Sequence, residues 1–141
     1  MKQSSLEKRF ELLWNTLIHE RDDVLAEEMK LEQQHQFAKH LKRKFRFDFC
    51  HHESRVAIEL QGGVYSRGAH VRPAGYRKDC EKALIARELM WTTVQLTTDM
   101  VNEEFLNRVI DLIASRRFIR GPHCDCVVVY VSPNGFPNPQ Q

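Results

Sequence analysis

Two short alternating runs constrain this chain most. Phe45, Phe47 and Phe49 alternate with Arg46, Asp48 and Cys50; further on, Val56, Ile58 and Leu60 alternate with Ala57, Glu59 and Gln61. A period of two is that of a strand buried on one face. His51 to Ser54, between the runs, is polar and short enough for a hairpin connection. Pairing that puts the three Phe on the face of Val56, Ile58 and Leu60 also brings Asp48 level with, or close to, Glu59. A slip of one residue would bury both carboxylates in the apolar face, so that register is rejected. The pattern therefore predicts an antiparallel hairpin with Asp48 and Glu59 side by side, on the face opposite Phe47 and Ile58. Such neighbours repel by about 4 kcal/mol at an effective dielectric constant near 20. A divalent cation with oxygen ligands is the natural compensation; the structural alternative is ion pairing with Lys44 and Arg46.

The flanking sequence supplies layers for this hairpin. Leu6, Phe10, Leu13 and Leu17 recur at helical spacing over Ser4 to Glu20, with Ser4 and Glu7 in capping-box spacing. A short helix is expected from Asp22 or Asp23 to Met29, with Leu25 and Met29 inward, and a strand from Gln34 to His40. Residues 62 to 75 form a glycine-rich basic loop without apolar periodicity, a length that in compact domains signals function or disorder. Next come a helix from Tyr76 to Met90 burying Tyr76, Cys80, Ala83 and Leu84, a strand from Trp91 to Thr97, and a helix from Asn102 to Arg116. Val127 to Val131 reads as an added edge strand, and the Pro/Asn/Gln-rich end from Ser132 as a disordered tail. The fold class is α/β, one mixed β-sheet flanked by helices. Residues 1–118 make a single domain and 119–141 a C-terminal extension.

With 141 residues, 42% of them hydrophobic, the chain can bury a real core. A formal net charge of +2 does not by itself announce a nucleic-acid binder. The distribution says more, because Lys39, His40, Lys42, Arg43, Lys44 and Arg46 gather just ahead of Asp48, either as a solvated strand or turn or, given that position, in contact with phosphate. No apolar run reaches membrane-spanning length and the N-terminus carries no signal-peptide core, so a cytoplasmic protein with no membrane partner is expected. The four cysteines, Cys50, Cys80, Cys124 and Cys126, show no disulfide framework. Cys50-His51-His52 and His123-Cys124-Asp125-Cys126 are rich in zinc-type ligands, but their spacing is not that of a known ribbon or finger.

At Asp48 and Glu59-Leu60-Gln61 the chain resembles the PD-(D/E)XK nuclease superfamily, in its branch of small, often phage-borne proteins similar to very-short-patch-repair endonucleases. The resemblance runs from about Leu6 to Ile113. It rests on Leu6-Glu7 with Leu13-Trp14, then Arg46-Phe47-Asp48-Phe49 and Ala57-Ile58-Glu59-Leu60-Gln61-Gly62-Gly63. Gly68-Ala69-His70, Gly75-Tyr76, Asp79-Cys80-Glu81-Lys82 and Thr97-Thr98-Asp99-Met100-Val101 follow in order. Phe47 stands where the superfamily name has Pro, and Gln61 where Lys is usual.

The resemblance implies a restriction-endonuclease-like fold, and hydrolysis of DNA phosphodiester bonds in a bacterial or phage-infected cell. Asp48 and Glu59 would hold Mg²⁺ or Mn²⁺, with the Leu60 carbonyl as a third ligand. Gln61 would orient a water or a phosphate oxygen. Glu7 would sit near the metal, or simply complete its capping box. His70 would assist proton transfer or stay solvated. Lys42, Arg43, Lys44, Arg67, Arg72, Lys78 and Lys82 would contact the DNA backbone, although Lys82 could instead pair with Asp79 one turn away. A homodimer would let such an enzyme cut both strands. Two further readings stay open: a catalytically inactive DNA-binding module of the same fold, and a structural adaptor of a phage assembly.

Overall fold

The structure, a computed structural model, describes residues 2–63, 73–121 and 124–130, with the backbone alone from residue 117 on. Helix α1 (Ser5–Glu20) starts where the capping box predicts: Ser4 Oγ accepts from the Glu7 N–H at 3.2 Å and the Glu7 carboxylate accepts from the Ser4 N–H at 2.6 Å. It buries Phe10, Trp14, Leu17 and Ile18. The Trp14 indole N–H donates to the Met29 carbonyl at 3.0 Å and pins the next segment. That segment is a single 3₁₀ turn, Ala26–Met29, rather than the expected helix; Met29 is buried but Leu25 is 65% exposed. So short a stretch gains too few hydrogen bonds to repay helix nucleation.

Strand β1 is Glu32–His35, earlier and shorter than the expected Gln34–His40. Phe37 and Ala38, both buried, lie in a turn, and a 3₁₀ turn (Lys39–Leu41) follows them. Strands β2 (Phe47–His51), β3 (Val56–Gln61) and β4 (Thr92–Thr97) complete a four-stranded sheet in the order β1-β2-β3-β4. The first two pairings are antiparallel and β3-β4 is parallel, with helix α2 (Pro73–Glu88) between those strands in the chain. Helix α3 (Glu103–Ala114) is capped by the Asn102 side chain, which accepts from the Phe105 N–H at 3.0 Å. Fold class is thus as expected at the level of a mixed α/β sheet with helices.

Two cores lie on the two faces. Phe49, Val56, Ile58 and Leu96 pack with the apolar stripes of α1 and α3, whereas Cys50, Ala57 and Trp91 pack with Ile85 and Ala86 of α2. Phe47 belongs to the second group, so the expectation that it shares a face with Phe49 and Ile58 is corrected. The neighbouring strand is irregular at the same place: between the pairs Gln33↔Phe49 and His35↔Phe47, Gln34 has φ 53°, and His35 and Phe47 both lie against Trp91.

Helix α2 starts at Pro73, ahead of Tyr76, and presents a different face from the one expected. Tyr76, Cys80, Ala83 and Leu84 are exposed; Ile85 and Ala86 are buried. Val127 does not extend the main sheet either. It lies in β6 (Cys124–Tyr130), which pairs antiparallel with β5 (Arg116–Gly121) in a separate two-stranded sheet, and β5 runs through residue 118. The Arg116 guanidinium anchors the start of β5, donating to the Ser54 carbonyl at 2.8 Å and to Thr92 Oγ1 at 2.7 Å. The tail expected from Ser132 lies outside the described residues.

Helix α2 ends in a Schellman arrangement: Trp91 N–H bonds to the Ala86 carbonyl and Met90 N–H to the Arg87 carbonyl. This puts Met90 at φ 65° with its side chain 72% exposed. Met90→Gly is expected to stabilise the fold by about 1 kcal/mol by relieving that left-handed strain. Chemical denaturation would show it as a higher midpoint at unchanged slope.

Candidate active site on strands β2 and β3

The register Phe49↔Ile58, Cys50↔Ala57 ends one residue short of Asp48 and Glu59; past its end the Asp48 charge and backbone N–H both act on the Glu59 carboxylate, so the two residues are neighbours. Asp48 is half-buried, and its Oδ2 accepts from the Leu60 N–H at 2.8 Å. This bond takes over where the strand ladder ends and fixes the carboxylate at the mouth of the hairpin. Glu59, with its side chain 13% exposed, makes an ion pair with Lys82 from α2. The Lys82 ammonium also lies 5.8 Å from the centre of the Phe47 ring, on the α2 face. Lys82 thus meets Glu59 rather than Asp79, and the compensating charge comes from the crossover helix rather than from Lys44 or Arg46.

The electrostatics of Glu59 follow from its position. Burial pushes its carboxyl above the ordinary value of 4.5, the Lys82 charge and hydrogen bond pull it back, the Asp48 charge raises it, and a hydrogen bond from the Asp48 backbone lowers it; the net direction is up. A raised folded-state pKa means that protonation favours the fold. Its stabilising contribution is therefore complete below 4.5 and fades as pH rises through the raised value. Thermal melts should accordingly show wild type losing stability relative to Glu59→Gln as pH climbs out of the low fours, with Lys82 and Asp48 the charges facing the group. Parallel profiles for the two proteins would rule this out.

The donor set fits a hard cation. Asp48 and Glu59 bring carboxylate oxygens from adjacent strands, and an ion such as Mg²⁺ is commonly held by one or two carboxylates with most of its waters retained. Glu59 already has a cation against it, so an arriving ion would share or displace Lys82. Gln61, half-buried at the end of β3, is paired with Thr97 and adds no charge. The Glu7 carboxylate caps α1 and accepts from Gln34 Nε2 at 2.9 Å, and Gln34 lies between the β1 residues that pair with the two neighbours of Asp48.

The basic residues divide. Arg43 forms an ion pair with Glu81 and lines a groove along α2 with Arg77 and Lys78. Lys42 and Lys44 are exposed, Lys42 in a left-handed turn with φ 56°. His70, Arg67 and Arg72 lie outside the described residues. Three features were not anticipated. His51 is not a solvated turn residue; its ring is buried, bonded to Ser54 Oγ at 2.8 Å and the Glu28 carbonyl at 2.6 Å. Glu32 and His35 come beside Cys50 and His52. The Lys82–Glu59 pair had a sequence signal, since Lys82 shares a helical stripe with Ile85, Ala86 and Leu89.

Among the described residues, no helix is long and apolar enough to cross a membrane. Compared with known proteins, the chain matches no family model, no curated protein and no solved structure.

Proposed function

We propose that this chain is a Mg²⁺- or Mn²⁺-dependent DNA endonuclease with a restriction-endonuclease-like fold, of PD-(D/E)XK type. One observation carries the reading: Asp48 and Glu59 are neighbours at the end of the β2–β3 pairing, with the Lys82 ammonium reaching Glu59 from the crossover helix. Asp48, Glu59 and the Leu60 carbonyl would hold the ion. When bound, a divalent ion lowers the pKa of a water and stabilises charge on a phosphodiester oxygen. The chain's own groups do the rest. The Leu60 N–H orients the Asp48 carboxylate. Lys82 supplies the positive charge that Gln61 lacks, close to where negative charge develops on phosphate. Gln61 has an amide with which to orient a water. Arg77 and Lys78, in the groove they share with the Arg43–Glu81 ion pair, provide charge for the DNA backbone. The direct test is incubation with plasmid, single-stranded and branched DNA under Mg²⁺, Mn²⁺ or chelator. Cleavage that needs the ion supports the reading, and no cleavage of any substrate overturns it.

A second reading, the inactive DNA-binding module, is favoured by one feature: Lys82 already neutralises Glu59 without any ion. Under both readings Lys78→Ala should weaken DNA binding across sequences and reduce the slope of log K against log salt by about 0.9. An unchanged slope would take the α2 groove out of the interface. Binding without cleavage would then single out the inactive module.

A further inference from the structure

We propose that Glu32, His35, Cys50 and His52 form a zinc site, separate from the Asp48–Glu59 pair, that clips edge strand β1 to the hairpin. One ligand atom from each of the four residues lies within 4.8 Å of all the others. In tetrahedral zinc coordination, with bonds of 2.0–2.3 Å, neighbouring ligand atoms sit about 3.3–3.8 Å apart, so the cluster needs a contraction of about 1 Å.

The arrangement is built by the backbone rather than by chance surface contact. Glu32 and Cys50 are direct partners across β1 and β2. Glu32 and His35, three apart on a regular strand, would point to opposite faces. The left-handed Gln34, at φ 53°, reverses the alternation and turns His35 to the Cys50 side. A non-glycine residue held in that conformation costs free energy, and such strain gathers at functional sites. Glu32 then gathers the two imidazoles. Its Oε1 lies 3.1 Å from His35 Nδ1, and its Oε2 bonds to His52 Nε2. The two rings meet edge to face with centres 4.3 Å apart, and both lie against Trp91. The Cys50 thiol closes the group from beneath and is fully buried, while Glu32 and His52 are about half exposed and leave a path for an ion. The Arg55 guanidinium lies over the Trp91 ring, 5.0 Å from its centre.

The ligand chemistry selects the metal. One thiolate, two imidazoles and one carboxylate suit a borderline-soft ion and not Mg²⁺ or Mn²⁺, which take oxygen ligands. On binding, the Cys50 S–H proton and the imidazole protons facing the ion are released to solvent, and the sulfur and nitrogen lone pairs form the new bonds. No redox change is involved. The hairpin explains the spacing as well: Cys50 and His52 flank His51, which is committed to the opposite face.

The test uses the full chain, stripped with chelator and dialysed against Zn²⁺, with metal content measured by elemental analysis. Wild type should retain about one zinc ion per chain, as a four-ligand site requires. His52→Ala and Cys50→Ser should each lose it, and the Cys124→Ser/Cys126→Ser double variant should keep it. Co²⁺ in place of zinc should give an intense thiolate-to-metal absorption band that disappears in Cys50→Ser. Because Cys50 is buried, circular dichroism accompanies each variant; should Cys50→Ser unfold, the half-exposed His52→Ala decides. Zn²⁺ should raise the melting temperature of wild type more than that of His52→Ala, whereas any effect of Mg²⁺, acting at the Asp48–Glu59 pair, should be the same in both. Zinc content that is absent in wild type, unchanged in His52→Ala, or lost only in the Cys124/Cys126 variant overturns the proposal.

Discussion

Asp48→Asn and Glu59→Gln are each expected to lower metal-dependent DNA cleavage by about 10³-fold or more, since a bound ion contributes several kcal/mol of transition-state stabilisation. Both variants should stay folded. In Asp48→Asn the new amide keeps an oxygen that can accept from the Leu60 N–H, the bond that Asp48 makes at 2.8 Å. Glu59→Gln removes a carboxylate whose burial makes its charge unfavourable, and it leaves Lys82 free to turn its head to water along a flexible stem. Apo stability of that variant at neutral pH should therefore be unchanged or slightly raised. Mg²⁺ or Mn²⁺ should stabilise wild type by mass action and neither variant. Thermal unfolding with and without metal, beside cleavage on the same preparations, measures all of this. If both variants melt well below wild type without metal, and none of the three responds to the ion, the carboxylate pair is structural and the nuclease reading falls.

Phe47→Ala should cost about 3–5 kcal/mol, the range for deleting a buried aromatic ring. Phe47 is fully buried, stacks on Phe37 with ring centres 3.9 Å apart and planes 5° from parallel, and meets Trp91 at 5.0 Å. It is the centre of the smaller core and forms the floor beneath Lys82. Phe47→Leu, which keeps most of the volume, should cost about 1–1.5 kcal/mol. Urea unfolding of the three proteins provides the comparison; a loss below about 1 kcal/mol for Phe47→Ala would mean that the second core can collapse around the gap.

The hairpin, its register, the capped first helix and the last helix were all legible in the sequence, because each is specified locally. Alternation from Phe49 through Leu60 sets the hairpin register, and Ser4-Glu7 and Asn102 mark helix starts through hydrogen bonds a few residues long. The misses share a different cause. Phe47 changed face beside an irregularity of another strand, where Gln34 sits in a left-handed conformation that no residue-level preference announces. The gathering of Glu32 and His35 with Cys50 and His52 depends on the same residue. His51 read as a polar turn residue because its partners, Ser54 Oγ and the Glu28 carbonyl, are supplied only once the chain has closed on itself. The α2 surface was misjudged because apolar spacing favoured Tyr76, Cys80 and Leu84, whereas the decisive contact is ionic and made with β3.

That last point bears on how α2 chooses its orientation. Its two candidate stripes, Tyr76-Cys80-Leu84 and Lys82-Ile85-Ala86-Leu89, lie roughly half a turn apart at 100° per residue. Burying either would cover apolar side chains, so greasiness alone ranks them poorly. Only one of the two directs an ammonium at a carboxylate that would otherwise be buried alone. Lys82 and Glu59 thus act as a rotational key, a specificity determinant whose own net stability need not be large. A chain stripped of both charges would keep its helix and its sheet but would have lost the instruction for how far to roll one upon the other.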